Sequence, residues 1–174
     1  MNGNRYLLDT NAVIQLFDGN REVEDILNHA DFVAMSVVSE FEYLSYDGLT
    51  EKDVSGYTAF RNCIQVYDVP SDDSIFTQLV VTARKRNGLK LPDAIIAATA
   101  RTNNLSVLTA DDHFKKLKSP WKVRHFSQPL QRHDERFSYI LNSCSGRRVA
   151  TRNEDKPYSP TVKLDKGEGE DYVS

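Results

Sequence analysis

Short apolar runs alternate with helix-period stretches through residues 5–126, and this alternation constrains the chain more than any other feature. The runs Arg5–Leu8, Asp31–Met35, Ile64–Val69, Leu105–Leu108 and Lys122–Phe126 have the length of strands. Between them, apolar residues recur at helical spacing. Ala12, Val13, Leu16 and Phe17 mark a helix over Thr10–Phe17, stopped by Asp18-Gly19-Asn20. Val23, Ile26 and Leu27 share one face of a helix over Arg21–His29. Further helices are expected over Val37–Tyr46, Thr50–Cys63, Ser71–Asn87, Pro92–Thr102 and Ala110–Leu117. Thr50 to Asp53 opens one of them as a capping box. Gly88 closes another as its C-cap. Pro92 lies in the first turn of the next, where its missing N–H costs nothing. Strands alternating with helices argue for an α/β fold with a central, mostly parallel sheet flanked by helices on both sides.

In such a sheet, ligands bind outside the carboxyl ends of the strands. That rule gives meaning to the placement of the acids. Asp9 ends the first strand in the stretch YLLDTN (Tyr6–Asn11). Glu42 lies early in the helix after the second strand, with Glu40 two residues before it. Asp93 lies in the first turn of the Pro92 helix. Asp111, followed by Asp112, comes directly after the strand that ends at Leu108. Four segments therefore bring carboxylates to one edge of the sheet. Clustered carboxylates repel and raise one another's pKa, and a divalent cation relieves this. Hard oxygen ligands select Mg²⁺ or Mn²⁺ over zinc. Such an ion polarises a phosphodiester and activates water.

Each acid also has a plainer reading. An Asp at a helix start is commonly a cap stabilised by the helix dipole, and Glu42 alone reads as a solvated helix residue. Thr10 is a second candidate for the first helix's cap, with Asn11 bonding backbone beside it. No competing catalytic set stands out. His29, His113, His125 and His133 are scattered, with His113 read as a helix surface residue. There is no Gly-x-Ser-x-Gly and no glycine-rich phosphate loop. A phosphatase of the haloacid-dehalogenase type needs a second acid two residues after its strand-end Asp, and here that position is Asn11.

The net charge is −3, so nothing global advertises nucleic-acid binding, although an acidic metal site depresses net charge while a local basic patch holds phosphate. Two such patches exist. Arg84, Lys85, Arg86 and Lys90 precede Asp93, and Lys115, Lys116 and Lys118 follow Asp111. Both also fit solvated helix ends that complement the dipole. Two cysteines, Cys63 and Cys144, lie far apart without metal-type spacing, which predicts a reducing, cytoplasmic setting with no disulfide scaffold. The N-terminus lacks a signal-peptide pattern and no apolar run approaches membrane-spanning length. Composition changes after Gln128. Residues 131–174 hold eight basic and eight acidic residues but few aliphatics. We expect one folded domain over 1–130 and a polar, largely disordered C-terminal extension over 131–174, with RFSYIL (Arg136–Leu141) as a short docking helix within it.

Four stretches together, in this order and spacing, give the chain a family likeness: YLLDTN at Tyr6–Asn11, SVVSEFEYLSY at Ser36–Tyr46, LKLPDAIIAATA at Leu89–Ala100 and LTADDHF at Leu108–Phe114. The chain resembles PIN-domain proteins, specifically the VapC-type toxin ribonucleases, over roughly residues 5–126. The resemblance implies a single PIN-like domain and a Mg²⁺- or Mn²⁺-dependent enzyme that hydrolyses RNA. By the same resemblance, Asp9 and Asp93 match the principal metal ligands and Glu42 the acid of the second motif, with Glu40 its alternate. Asp111 matches the fourth acid, with Asp112 its alternate, and Asn11 and Thr109 match polar residues that support the acids. It further implies a structured RNA substrate such as tRNA, an antitoxin partner and a homodimer. A nuclease of RNA processing or acting on DNA, and an inactive module that only binds nucleic acid or protein, are the competing functions. The extension over 131–174 departs from the family, whose toxins stop soon after the last strand.

Overall fold

The structure is a computed structural model and describes residues 4–127. Five strands form one sheet: β1 (Arg5–Leu8), β2 (Phe32–Ser36), β3 (Gln65–Tyr67), β4 (Ser106–Thr109) and β5 (Val123–His125). Their order across the sheet is β3-β2-β1-β4-β5, and every neighbouring pair is parallel. The sheet is therefore wholly parallel among the described residues. Six α-helices cover it: α1 (Thr10–Phe17), α2 (Arg21–Asn28), α3 (Val37–Leu44), α4 (Glu51–Arg61), α5 (Ser74–Asn87) and α6 (Leu91–Thr102). A 3-10 turn, Asp112–Lys116, stands where a short helix was expected.

The strands read as apolar runs because both faces of the sheet are buried. Successive side chains enter different cores, as the period of two requires. Leu8, Met35 and Leu108 join one core with Phe17, Tyr43, Tyr57 and Phe60. Leu7, Ala34 and Val107 join the other with Ala83, Ala94, Ala97 and Phe114. Burying each large aliphatic contributes about 1.5–3 kcal/mol, so the three central strands are held from both sides. The aromatic side chains fix the helices on the first face. The Phe17 and Tyr43 rings lie 5.4 Å apart, and those of Tyr43 and Tyr57 stack at 4.9 Å. These contacts set α3 against α1 and α4.

Helix ends follow local chemistry. The capping box expected at Thr50 forms, with Asp53 as its reciprocal partner. Helix α5 starts at Ser74 rather than Ser71, because the Asp73 carboxylate accepts hydrogen bonds from the N–H groups of Ile75 and Phe76 at 2.8 and 2.9 Å. It ends at Gly88, whose φ of 68° is the left-handed conformation glycine adopts without strain. Cys63 is not a free thiol, which departs from the expectation of no disulfide. Cys144, the extension 131–174 and the docking helix expected at Arg136–Leu141 lie outside the described residues. Among the described residues no helix is long and apolar enough to cross a membrane.

Candidate metal centre

The strand order reverses between β1 and β4, so the chain leaves these neighbouring strands toward opposite sides. A crevice outside their carboxyl ends follows from that topology. Asp9 leaves the end of β1 and caps α1, with its Oδ1 accepting the Thr10 N–H at 2.8 Å. Asp9 is both a cap and something more. Its Oδ2 accepts the Thr109 hydroxyl, from the last residue of β4, at 2.7 Å. That hydroxyl oxygen accepts in turn from the Asp111 N–H at 2.9 Å and from the Asn11 amide at 3.2 Å. The Asn11 carbonyl accepts the Ala110 N–H at 3.0 Å. Thr109 and Asn11 thus tie the ends of β1 and β4 together around one carboxylate.

Asp93 occupies the first turn of α6 without capping it, since Lys90 is the N-cap residue and makes no side-chain cap bond. Among the described residues no hydrogen bond reaches the half-buried Asp93 carboxylate. Asp111 caps the 3-10 turn by accepting the His113 N–H at 2.8 Å. Glu42 projects from α3 beside the inward-facing Tyr43 and accepts a hydrogen bond from the Thr10 hydroxyl of α1.

Electrostatics links these groups. Burial pushes Asp9, only 4% exposed, from 3.8 up to about 7, against the pull of its hydrogen bonds from Thr109 and Thr10; the charges of Asp93 and Glu42 add to the rise. Asp93 is also raised, first by burial and then by Asp111 and Glu42, while His113 and Lys90 oppose the rise. The charges of Glu42, Asp93 and Asp111 thus bear on the carboxylates of Asp9 and Asp93, with Lys90 and His113 offsetting only part of the effect at Asp93. Asp93, Asp111 and His113 each offer a donor atom within 4.8 Å of the other two. An undonated half-buried carboxylate beside such a set fits a divalent cation, while Asp9 and Glu42 bear on Asp93 by charge and stand outside that close set.

Other residues singled out in the sequence fall elsewhere. Glu40 is buried and ion-paired with Arg61 of α4. Its charge and hydrogen bond, after burial, raise the neighbouring Tyr57 hydroxyl far above its ordinary pKa. Glu40 is spent joining α3 to α4. Asp112 is exposed and pairs with Lys115 at 2.6 Å, which lowers its pKa. Neither alternate acid belongs to the group around Asp9. His113, read from the sequence as a surface residue, is half exposed but lies against Asp111. Its spacing of two from Asp111 was the signal, because an Asp that caps its own i+2 N–H folds that residue back over the carboxylate.

Of the basic residues, Lys90 acts on Asp93 directly. Arg84, Lys85 and Arg86 form the exposed last turn of α5. The Asn87 amide donates to the Lys116 carbonyl at 3.0 Å, which draws that turn alongside Lys115 and Lys116. The two patches, separate in sequence, adjoin.

A family model described as PIN domain matches residues 6–120. A comparison with curated protein sequences finds no match. Among solved structures, the chain is similar to a toxin–antitoxin complex from Klebsiella pneumoniae, at 26% identity and a TM-score of 0.55 over 67% of this chain and 98% of that one. It is similar in fold to VapBC2 from Rickettsia felis bound to a DNA fragment from their promoter, at 19% identity and a TM-score of 0.57 over 71% and 99% of the two chains. DNA-bound VapBC from Salmonella typhimurium shares the fold at 22% identity and a TM-score of 0.54, over 70% and 97%.

Proposed function

The chain belongs to the PIN-domain family, and from that premise we propose that it is a divalent-metal-dependent endoribonuclease, the toxin of a type II toxin–antitoxin pair. The observation that carries the reading is the close approach of Asp93 and Asp111, within 4.8 Å, at the edge where Asp9 leaves β1 and Glu42 meets Thr10. Four acids gathered at one edge are costly, and phosphodiester hydrolysis gives them a use.

In this reading each residue has a task. Asp9 is the fixed ligand, held on both oxygens by Thr10 and Thr109. Asn11 and Thr109 keep its orientation by joining β1 to β4. Asp93, which no donor reaches among the described residues, would hold the ion through its free oxygens. Glu42 and Asp111 complete the oxygen set from two further elements. Mg²⁺ or Mn²⁺ bound there supplies the Lewis-acid charge that polarises the phosphodiester and stabilises the transition state. Lys90, Arg84, Arg86 and Lys115 frame the acidic centre and hold backbone phosphates on either side of the bond to be cut.

The choice of RNA, with a structured substrate such as tRNA, rests on the resemblance to VapC-type ribonucleases. The antitoxin partner is supported by the similarity to a toxin–antitoxin complex at 26% identity. The homodimer and the cytoplasmic site of action are parts of the same proposal. The test is cleavage of a total tRNA pool by purified protein with Mn²⁺ and with EDTA, beside Asp93→Asn. We expect cutting that needs the metal and is lost in the variant. Equal cutting by wild type and variant would place the activity elsewhere.

A further inference from the structure

The oxygen set leaves one neighbouring donor unassigned. Asp111 and His113 are two residues apart, and the cap at Asp111 holds the His113 backbone N–H at 2.8 Å from its Oδ1. The His113 Nδ1 lies 3.0 Å from one Asp111 oxygen and 3.2 Å from the other. Phe114, the next residue, is fully buried and anchors the turn, so the imidazole stays over the carboxylate. Both side chains remain reachable from solvent, at 50% and 34% exposure.

These separations have a meaning in coordination geometry. Donors on adjacent corners of an octahedral ion, with bonds of about 2.1 Å, sit about 3.0 Å apart, and opposite donors about 4.2 Å apart. The Nδ1 separations from Asp111 match the adjacent case, and a donor atom of Asp93 lies nearby, within 4.8 Å of the other two. From this we infer that His113 is itself a ligand of the divalent cation, giving the centre an imidazole nitrogen beside its carboxylates. The inference rests on the metal-dependent reading above and adds a consequence to it. Mg²⁺ prefers an all-oxygen shell, whereas transition ions accept nitrogen donors readily. The centre therefore selects Mn²⁺ over Mg²⁺, and His113 sets that preference. The competing use of the same contact is a hydrogen bond from the imidazole to Asp111 with no metal bond.

The two uses separate spectroscopically. Mn²⁺ is bound to the full chain and electron spin echo modulation is recorded. Modulation from a directly bonded imidazole nitrogen is expected, changed by ¹⁵N-histidine labelling and lost in His113→Gln while Mn²⁺ still binds. Calorimetry on the same variant should show Mn²⁺ affinity reduced by at least about tenfold, the loss typical of even outer-shell partners. Mg²⁺ affinity should change far less. Bound Mn²⁺ with no nitrogen modulation in the wild type, or unchanged modulation in His113→Gln, overturns the ligand role alone. No Mn²⁺ binding to the wild type overturns the metal-dependent reading and this inference with it.

Discussion

The Thr109 hydroxyl is the most heavily used polar group in the centre. It donates to the buried Asp9 and accepts from the partly buried Asp111 and Asn11. Thr109→Val keeps the shape and removes all three bonds. A buried group left without its partner costs about 1–3 kcal/mol, so urea unfolding should show a loss of that order together with reduced cleavage. Glu40 and Glu42 should part company in the same pair of assays. Glu42→Gln is expected to reduce metal-dependent cleavage with little effect on stability, since Glu42 is exposed and, among the described residues, bonded only to Thr10. Glu40→Ala removes the ion pair that joins α3 to α4 and should cost about 1–3 kcal/mol while leaving metal binding intact. The reverse pattern would exchange their assignments. Neither outcome could be read from residue type, because the two glutamates are identical in chemistry and differ only in what they face.

Among the elements, α5 carries both structure and recognition. Its Gly88 cap turns the chain toward Lys90 and Asp93, and its last turn holds Arg84 and Arg86. A Cβ at Gly88 would meet nothing within 4 Å, so Gly88→Ala adds only the strain of φ at 68°. That strain amounts to about 1–2 kcal/mol, and thermal unfolding should register it. Arg84→Ala with Arg86→Ala should weaken RNA binding and flatten its salt dependence without altering Mn²⁺ affinity, because each lost phosphate contact lowers the slope by about one. Most elements were legible from periodicity, the capping box at Thr50 and the Gly88 stop. The boundaries that moved did so for local reasons. Asp73 captured the cap of α5, and a turn closed by Asp111 was too short to continue as an α-helix.

For the molecule as a whole, the buried Asp9 links stability to pH. Its folded pKa of about 7 lies above the ordinary 3.8, so the folded state retains a proton that the unfolded chain gives up. The contribution of Asp9 to stability is therefore fullest below pH 3.8 and is lost as pH rises through about 7. The full loss is roughly 4 kcal/mol, taking 1.36 kcal/mol per pH unit. Metal-free wild type should lose stability relative to Asp9→Asn across that window. A ligand that binds only the folded, ionised site offsets the loss, so Mn²⁺ should raise the melting temperature more near neutral pH than near pH 5. Parallel denaturation series with Mn²⁺ and with EDTA would check both statements.

Local patterning was enough to establish the α/β class, the parallel sheet and the edge to which Asp9, Asp93 and Asp111 come. The reason is that a strand of period two, buried on both faces, must be apolar throughout, and an acid at its end is then conspicuous. Selection among neighbours belonged to the tertiary structure. Two residues apart on a helix means roughly 200° around its axis, so the docking of α3 through Tyr43 and Phe17 decides that Glu42, and not Glu40, meets Thr10. The same holds for Asp111 over Asp112, for the imidazole of His113, and for the bond from Thr109 to Asp9 across 100 residues of chain. Contacts of that separation arise from packing, and packing has no local signature.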